Sequence, residues 1–240
     1  MALGRLDGTI QLWDVINQRE LGTLEGHTGS VAPLVFSPDG ARLATTAGDG
    51  TIRVWDMATR REVSRIDAEW HDALRLAFSP NGRLLAIGNG DSTAEVWDIF
   101  RHRRAALLTG HKSGVDGVAF SPDDNWLATA SWDGMAKLWD IAAGRELVQL
   151  PKARQKYSSI AFSPDSRRVA VGSESSVRIL DTATGQEVAT LKGSEPTAMA
   201  FLADGNTLIS ANRNELFAWR AASIGEIEAE PRSRKEQNSK

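Results

Sequence analysis

A Trp–Asp pair returns four times at a fixed step: "DGTIQLWD" at 7–14, "DGTIRVWD" at 49–56, "DSTAEVWD" at 91–98 and "DGMAKLWD" at 133–140. Trp13, Trp55, Trp97 and Trp139 are each 42 residues apart, and Asp7, Asp49, Asp91 and Asp133 keep the same step. A Phe-Ser-Pro-Asp/Asn marker marches with them, starting at Phe36, Phe78, Phe120 and Phe162. Two degenerate copies follow, "SSVRILD" ending at Asp181 and "NELFAWR" ending at Arg220, and their steps shrink to 41 and 39. A sustained period in this range marks a repeat architecture, which must be recognised before any single motif is interpreted. A catalytic constellation is needed once, so an acid and an aromatic repeated four times read as structure.

Within each unit the pattern is that of strands. "VAPLVF", "ALRLAF" and "GVDGVAF" are short apolar runs ending at Ser-Pro-Asp/Asn, a turn in which Pro presets φ. "RLATTA", "LLAIGN" and "WLATAS" follow and close at an Asp-Gly or Asp-Ser turn. "TIRVW", "TAEVW" and "MAKLW" alternate with period two, and "REVSRI" or "RELVQL" supplies a fourth strand. The expectation is four strands per unit and almost no helix. Antiparallel units of this kind bury their faces by stacking on neighbours, and radial stacking gives a β-propeller.

Composition narrows the function classes. With 240 residues, 41% of them hydrophobic and 25% charged, the chain has the balance of a globular protein. Its net charge of −3 argues against nucleic-acid binding driven by overall charge. The absence of Cys removes thiolate chemistry and Cys-based zinc sites. Neither a secretory signal nor an 18-residue apolar run is present, so the expectation is a cytoplasmic chain without a membrane partner. No nucleophile elbow, phosphate-binding glycine loop or metal-ligand spacing stands out. The reading is a non-enzyme with no cofactor and no metal.

The Gly-His of "EGHTGSV" and "TGHKSGV", the "FSPDG", the turn Asp-Gly and the closing Trp-Asp together resemble the WD-repeat family over residues 1–220. The resemblance implies an all-β propeller of four-stranded antiparallel blades, about six of them, the first and last incomplete. It also implies a hydrogen-bonded chain in each intact blade from a loop His through a strand hydroxyl to the Trp, with the turn Asp behind the His. By position this assigns His27, Thr45, Asp49 and Trp55 to one blade, and His111, Asp133 and Trp139 to another. Thr129 and Ser131 both remain hydroxyl candidates in the latter, because residues two apart share a strand face. The blade of Asp91 and Trp97 has Ile87 and Asn89 at the hydroxyl positions and a displaced His71, which puts its chain in doubt. The next has no His and carries Leu180 in place of Trp, so apolar packing alone is expected to hold it.

Unit boundaries fall near 1–28, 29–70, 71–110, 111–154, 155–193 and 194–220, followed by a polar tail at 221–240 that reads as disordered. The opening unit lacks an innermost strand, which suggests the C-terminal part of a longer chain over a ring closed by its own termini. "SIGEIEAE" is a weak candidate for the last fourth strand.

Loops on a rigid scaffold are where binding concentrates. The leading expectation is a non-catalytic scaffold that docks a protein or peptide, and the resemblance to prokaryotic WD-repeat regions, which often follow a kinase or signalling domain, implies a regulatory role. Trp132, Trp70, His71 and Tyr157 are the candidate partner-binding aromatics, placed on the face of the His loops. The rival is an anion or nucleic-acid contact on the opposite face, through Arg60, Arg61, Arg101, Arg103 and Arg104, with His102, Arg167 and Arg168 nearby. A third reading is a truncated copy without independent function.

Overall fold

The computed structural model describes residues 1–67, 73–150, 155–192, 196–212 and 214–221. Among these residues every regular element is a strand, and the strands form four four-stranded and two three-stranded antiparallel sheets. The first sheet holds β1 (Ala2–Gly4), β2 (Ile10–Asp14) and β3 (Arg19–Leu24). The second holds β4 (Val31–Phe36), β5 (Arg42–Ala47), β6 (Thr51–Asp56) and β7 (Arg61–Asp67). The third runs β8 (Ala73–Phe78), β9 (Leu84–Asn89), β10 (Ala94–Asp98) and β11 (Arg103–Leu108). In the fourth are β12 (Val115–Phe120), β13 (Trp126–Ser131), β14 (Ala136–Asp140) and β15 (Arg145–Gln149). The fifth contains β16 (Tyr157–Phe162), β17 (Arg168–Ser173), β18 (Ser176–Asp181) and β19 (Glu187–Lys192). The sixth has β20 (Ala198–Phe201), β21 (Thr207–Ala211) and β22 (Leu216–Arg220).

Each sheet is a meander whose strands pair in sequence order, so every connection is short and local. The Ser-Pro-Asp turns show why the chain reverses where it does. Ser37 donates its Oγ hydrogen to Asp39 at 2.5 Å while accepting the Arg42 N–H at 2.9 Å. Ser121–Asp123–Trp126 and Ser163–Asp165–Arg168 repeat this arrangement, and Ser79–Asn81–Leu84 does so with an amide. The serine is buried in all four turns because its hydroxyl takes the place of a backbone partner.

A second device recurs between the third and fourth strands. The register slips at Leu12/Trp13, Val54/Trp55, Val96/Trp97, Leu138/Trp139 and Ile179/Leu180. A bulge there increases local twist at the Trp or its substitute, a feature the Trp-Asp spacing did not reveal.

The core lies between sheets. Ala86, Val96 and Leu108 of the third sheet pack on Val118, Phe120 and Trp139 of the fourth. Ala128, Leu138 and Leu150 then meet Ile160, Phe162 and Leu180 of the fifth. Burying one such Phe or Leu contributes about 2 kcal/mol, so several per junction hold the stack. Innermost strands carry the contact: β4 on β8, β8 on β12, β12 on β16, β16 on β20. Gly88 permits a close approach, since a Cβ there would lie 2.4 Å from the Val115 carbonyl oxygen of the next sheet. The series is open, with no packing of this kind between the sixth sheet and the first among the described residues.

Two expectations need correction here. Leu180 is buried as an apolar stand-in for Trp, yet the fifth sheet is not held by apolar packing alone. Arg178 donates to the Tyr157 hydroxyl at 2.5 Å and to Glu187 at 2.8 Å, while Ser159 donates to the Pro196 carbonyl at 2.8 Å. Secondly, Tyr157 is fully buried at the first position of β16, as Val115 is on β12. It is therefore an interior residue and not a partner-binding aromatic.

Candidate interaction surfaces

The polar chains form as the repeat implied. The Trp55 indole donates to Thr45 Oγ1 at 2.9 Å, Thr45 Oγ1 lies 2.9 Å from His27 Nε2, and His27 Nδ1 lies 3.0 Å from Asp49. In the fourth sheet the corresponding distances are 2.8 Å for Trp139–Thr129, 2.7 Å for Thr129–His111 and 3.2 Å for His111–Asp133. A carboxylate only accepts, so Nδ1 carries the proton, and a neutral ring then accepts the Thr hydrogen at Nε2. Burial supports that state by pushing both imidazoles below their ordinary value, against the pull of Asp49 and Asp133.

Burial alone would raise the Asp49 and Asp133 carboxyls, but the loop N–H groups together with Thr51 and His27 at Asp49, and with Met135 and His111 at Asp133, outweigh it. The N–H groups of Thr28 and Lys112, donating at 2.9 Å and 2.8 Å, are the largest of these contributions, and both carboxyls lie below the usual carboxylate range. The hydroxyl ambiguity is also settled. Thr129 is the link in the chain, while Ser131 ties a loop by donating to the Ser113 carbonyl at 3.0 Å and accepting the Asp133 N–H at 3.1 Å.

The other sheets meet the indole N–H differently. In the third, Ile87 fills the hydroxyl position and Trp97 donates instead to Glu95 at 2.5 Å. In the sixth, Trp219 donates to Ser210 at 2.9 Å. In the first, the hydroxyl position is Leu3, and the buried Trp13 Nε1 has no partner.

Outside these chains, a cross-strand ion pair recurs on the third and fourth strands. Arg53–Glu62 at 2.8 Å, Lys137–Glu146 at 2.6 Å and Arg178–Glu187 at 2.6 Å have one polarity, and Glu95–Arg104 at 3.0 Å has the reverse. Two arginines of the expected basic face take part in ion pairs. Arg104 is the strand partner of Glu95, and Arg101 lies 3.5 Å from Asp98, which Arg83 also contacts at 2.9 Å. His102 Nδ1 sits 3.1 Å from Ser64 Oγ of the second sheet. The Arg60 guanidinium lies against Gly22, Arg168 donates to the Gly205 carbonyl at 2.7 Å, and Arg61, Arg103 and Arg167 are not drawn together by any shared contact among the described residues.

On the opposite face Trp132 is 42% exposed, and its ring lies against Gly114, which Leu74 of the third sheet also approaches. The indole donates to Asp116 Oδ2 at 3.1 Å, and Asp116 is held in turn by Arg75, whose Nη2 lies 3.1 Å from Oδ1. Arg75 also donates through Nε to the Asp116 carbonyl at 2.9 Å. Trp70 and His71 lie outside the described residues, and Trp132 is the candidate aromatic the described residues leave exposed. Arg75 and Asp116 were not singled out in the sequence, because neither position repeats.

No group of three or more His, Asp or Glu among the described residues could hold a metal ion, and no helix there is long and apolar enough to cross a membrane. The fold and its polar chains define a repeat protein of stacked antiparallel sheets. The chain belongs to the family described as WD domain, G-beta repeat, whose model matches residues 18–56, 68–98, 103–140 and 149–181. No curated protein matches the sequence.

Proposed function

We propose that the six sheets are blades about a common axis, a propeller segment serving as a non-catalytic scaffold that docks a protein or peptide on the Trp132 face. WD repeats generally mediate protein–protein interaction and are typically non-catalytic. The observation that carries the reading is Trp132 itself. It is exposed over nearly half its surface, yet Asp116 and Arg75 fix its orientation. A pre-ordered aromatic loses little side-chain entropy on binding and can bury a large area, which suits an interface anchor.

The test is affinity capture with the wild-type chain and with Trp132→Ala, each checked for its thermal midpoint. The reading expects proteins retained by the wild type and lost from Trp132→Ala at an unchanged midpoint. Identical retention by both chains contradicts it.

A further inference from the structure

The face opposite Trp132 is built by the Ser-Pro turns, and it carries an apolar hollow. The innermost strands β12, β16 and β20 lie side by side and end on the same pair of residues, Ala119-Phe120, Ala161-Phe162 and Ala200-Phe201. A methyl group at the step before each Phe leaves space that a longer side chain would occupy. These six residues line a cavity of about 500 Å³, with Pro38, Pro80 and Pro122 of the turns also in its wall. That volume matches ordinary ligand sites, which run from about 300 to about 1,000 Å³. Its walls come entirely from strands and turns within residues 38–201.

The lip of the hollow carries carboxylates. Asp39 and Asp123 directly follow prolines of the wall, Asp124 comes next, and Asp165 and Asp204 stand in the corresponding turns of the fifth and sixth sheets. All but Asp124 accept a hydroxyl hydrogen within the turn, from Ser37, Ser121, Ser163 and Thr207, at 2.5–2.6 Å. Those hydrogen bonds hold the four carboxyls below their ordinary value, so they are ionised at neutral pH. Most arginines of the same turns are engaged elsewhere. Arg42 lies over the Phe100 ring at 4.4 Å, Arg83 contacts Asp98 at 2.9 Å, and Arg168 donates to the Gly205 carbonyl. Arg167 is exposed two residues after Asp165 and offsets one of the carboxylates. The excess negative charge is spread over turns from the second sheet to the sixth, wider than a small cation spans. An extended occupant carrying both apolar groups and cations complements it.

We infer that this hollow docks a basic, amphipathic peptide segment of a partner. Aliphatic side chains of the segment enter between Ala119, Ala161 and Ala200, while its lysines or arginines pair with Asp39, Asp123 and Asp165. The site is separate from Trp132 and stands or falls without it. The third sheet supplies a built-in control. Asn81 occupies the turn position of Asp39 and Asp123, and its amide oxygen accepts from the Ser79 hydroxyl at 2.9 Å and from the Arg83 N–H at 2.8 Å. An amide therefore keeps the turn and removes only the charge.

Fluorescence anisotropy of a labelled peptide of alternating Lys and Leu, titrated with the full chain, reads the contact. Binding is expected, and it weakens as salt rises. The combined Asp39→Asn, Asp123→Asn and Asp165→Asn chain, its folding checked by thermal midpoint, binds about tenfold more weakly through the loss of three exposed charge pairs. Ala200→Trp fills the hollow and abolishes binding, and Ala119→Leu replaces it if that chain does not fold. Peptides of alternating Glu and Leu, or of Lys and Ser, do not bind. A wild-type chain that leaves the Lys-Leu peptide free, undiminished binding by the triple variant or the filled hollow, or equal binding of either control peptide overturns the inference. Self-association of the chain that Ala200→Trp abolishes would place a second copy in the hollow and overturns it too.

Discussion

The fourth sheet and the first present a Trp at the same place beside the same bulge, and the indole N–H meets opposite fates. Trp139 donates to Thr129, which links it to His111 and Asp133, and the loop before β12 is fixed to the sheet. The first sheet has Leu3 at the hydroxyl position, and Trp13 keeps a buried N–H with no acceptor. The third sheet shows that the Thr is not obligatory, for Glu95 accepts from Trp97 on the same strand while Arg104 neutralises it. What the family motif secures is therefore a partner for a buried donor, together with a loop anchor when His and Asp are present. A buried donor left unpaired costs about 1–3 kcal/mol, more than a typical hydrogen bond contributes net.

Removing the shared hydroxyl of the fourth sheet is the strongest way to break this contrast. Thr129→Val should lower stability by about 3 kcal/mol, because two buried groups lose their partner at once. Urea unfolding checks the value, and a loss under about 1 kcal/mol would show that the chain contributes little. Asp133→Ala comes next, at about 2 kcal/mol, since the loop N–H of Lys112 and the His111 ring lose their acceptor together.

Supplying what the first sheet lacks sharpens the contrast from the other side. Leu3→Thr should raise stability by about 1 kcal/mol by giving Trp13 an acceptor, despite the loss of aliphatic surface. A midpoint equal to or lower than wild type counts against the orphan N–H as a real cost.

The smallest effect expected is with pH. Both imidazoles titrate below their ordinary value when folded, so the unfolded chain binds protons first. Stability is fully present above about pH 6.5 and is lost as pH falls from there through the folded values. Melting midpoints should drop between about pH 7 and about pH 5, and the paired substitution His27→Gln with His111→Gln should remove most of that slope. An equal slope in the double variant would place the titration on other groups.

The repeat, the strands and the polar chains of the second and fourth sheets were legible because one 42-residue step carries Trp, Asp and the Ser-Pro turns together. Tyr157 was misread from its neighbours in "KARQK", which look like a loop. The step itself held the answer, since Tyr157 follows Val115 by 42 residues and shares its interior position. Arg104 was misread in the same way. It stands 42 residues from both Glu62 and Glu146, and Glu95 stands 42 from both Arg53 and Lys137, so the reversed pair was visible as an exchange of charges between two strands. "FRHRR" drew attention as a run of charge, where the alternating strand positions decide which arginine is paired. Arg75, Asp116 and the orientation of Trp132 lie on non-repeating positions at a junction between sheets, and no spacing announces them.

Hydrogen exchange, resolved sheet by sheet, tests most directly whether the partner of the buried indole sets local stability. The account predicts slowest exchange in β5–β6 and β13–β14 and fastest in β1–β2, with Leu3→Thr slowing β1–β2 alone. Equal protection of the first and fourth sheets, or a Leu3→Thr chain whose β1–β2 amides exchange as fast as before, would contradict it.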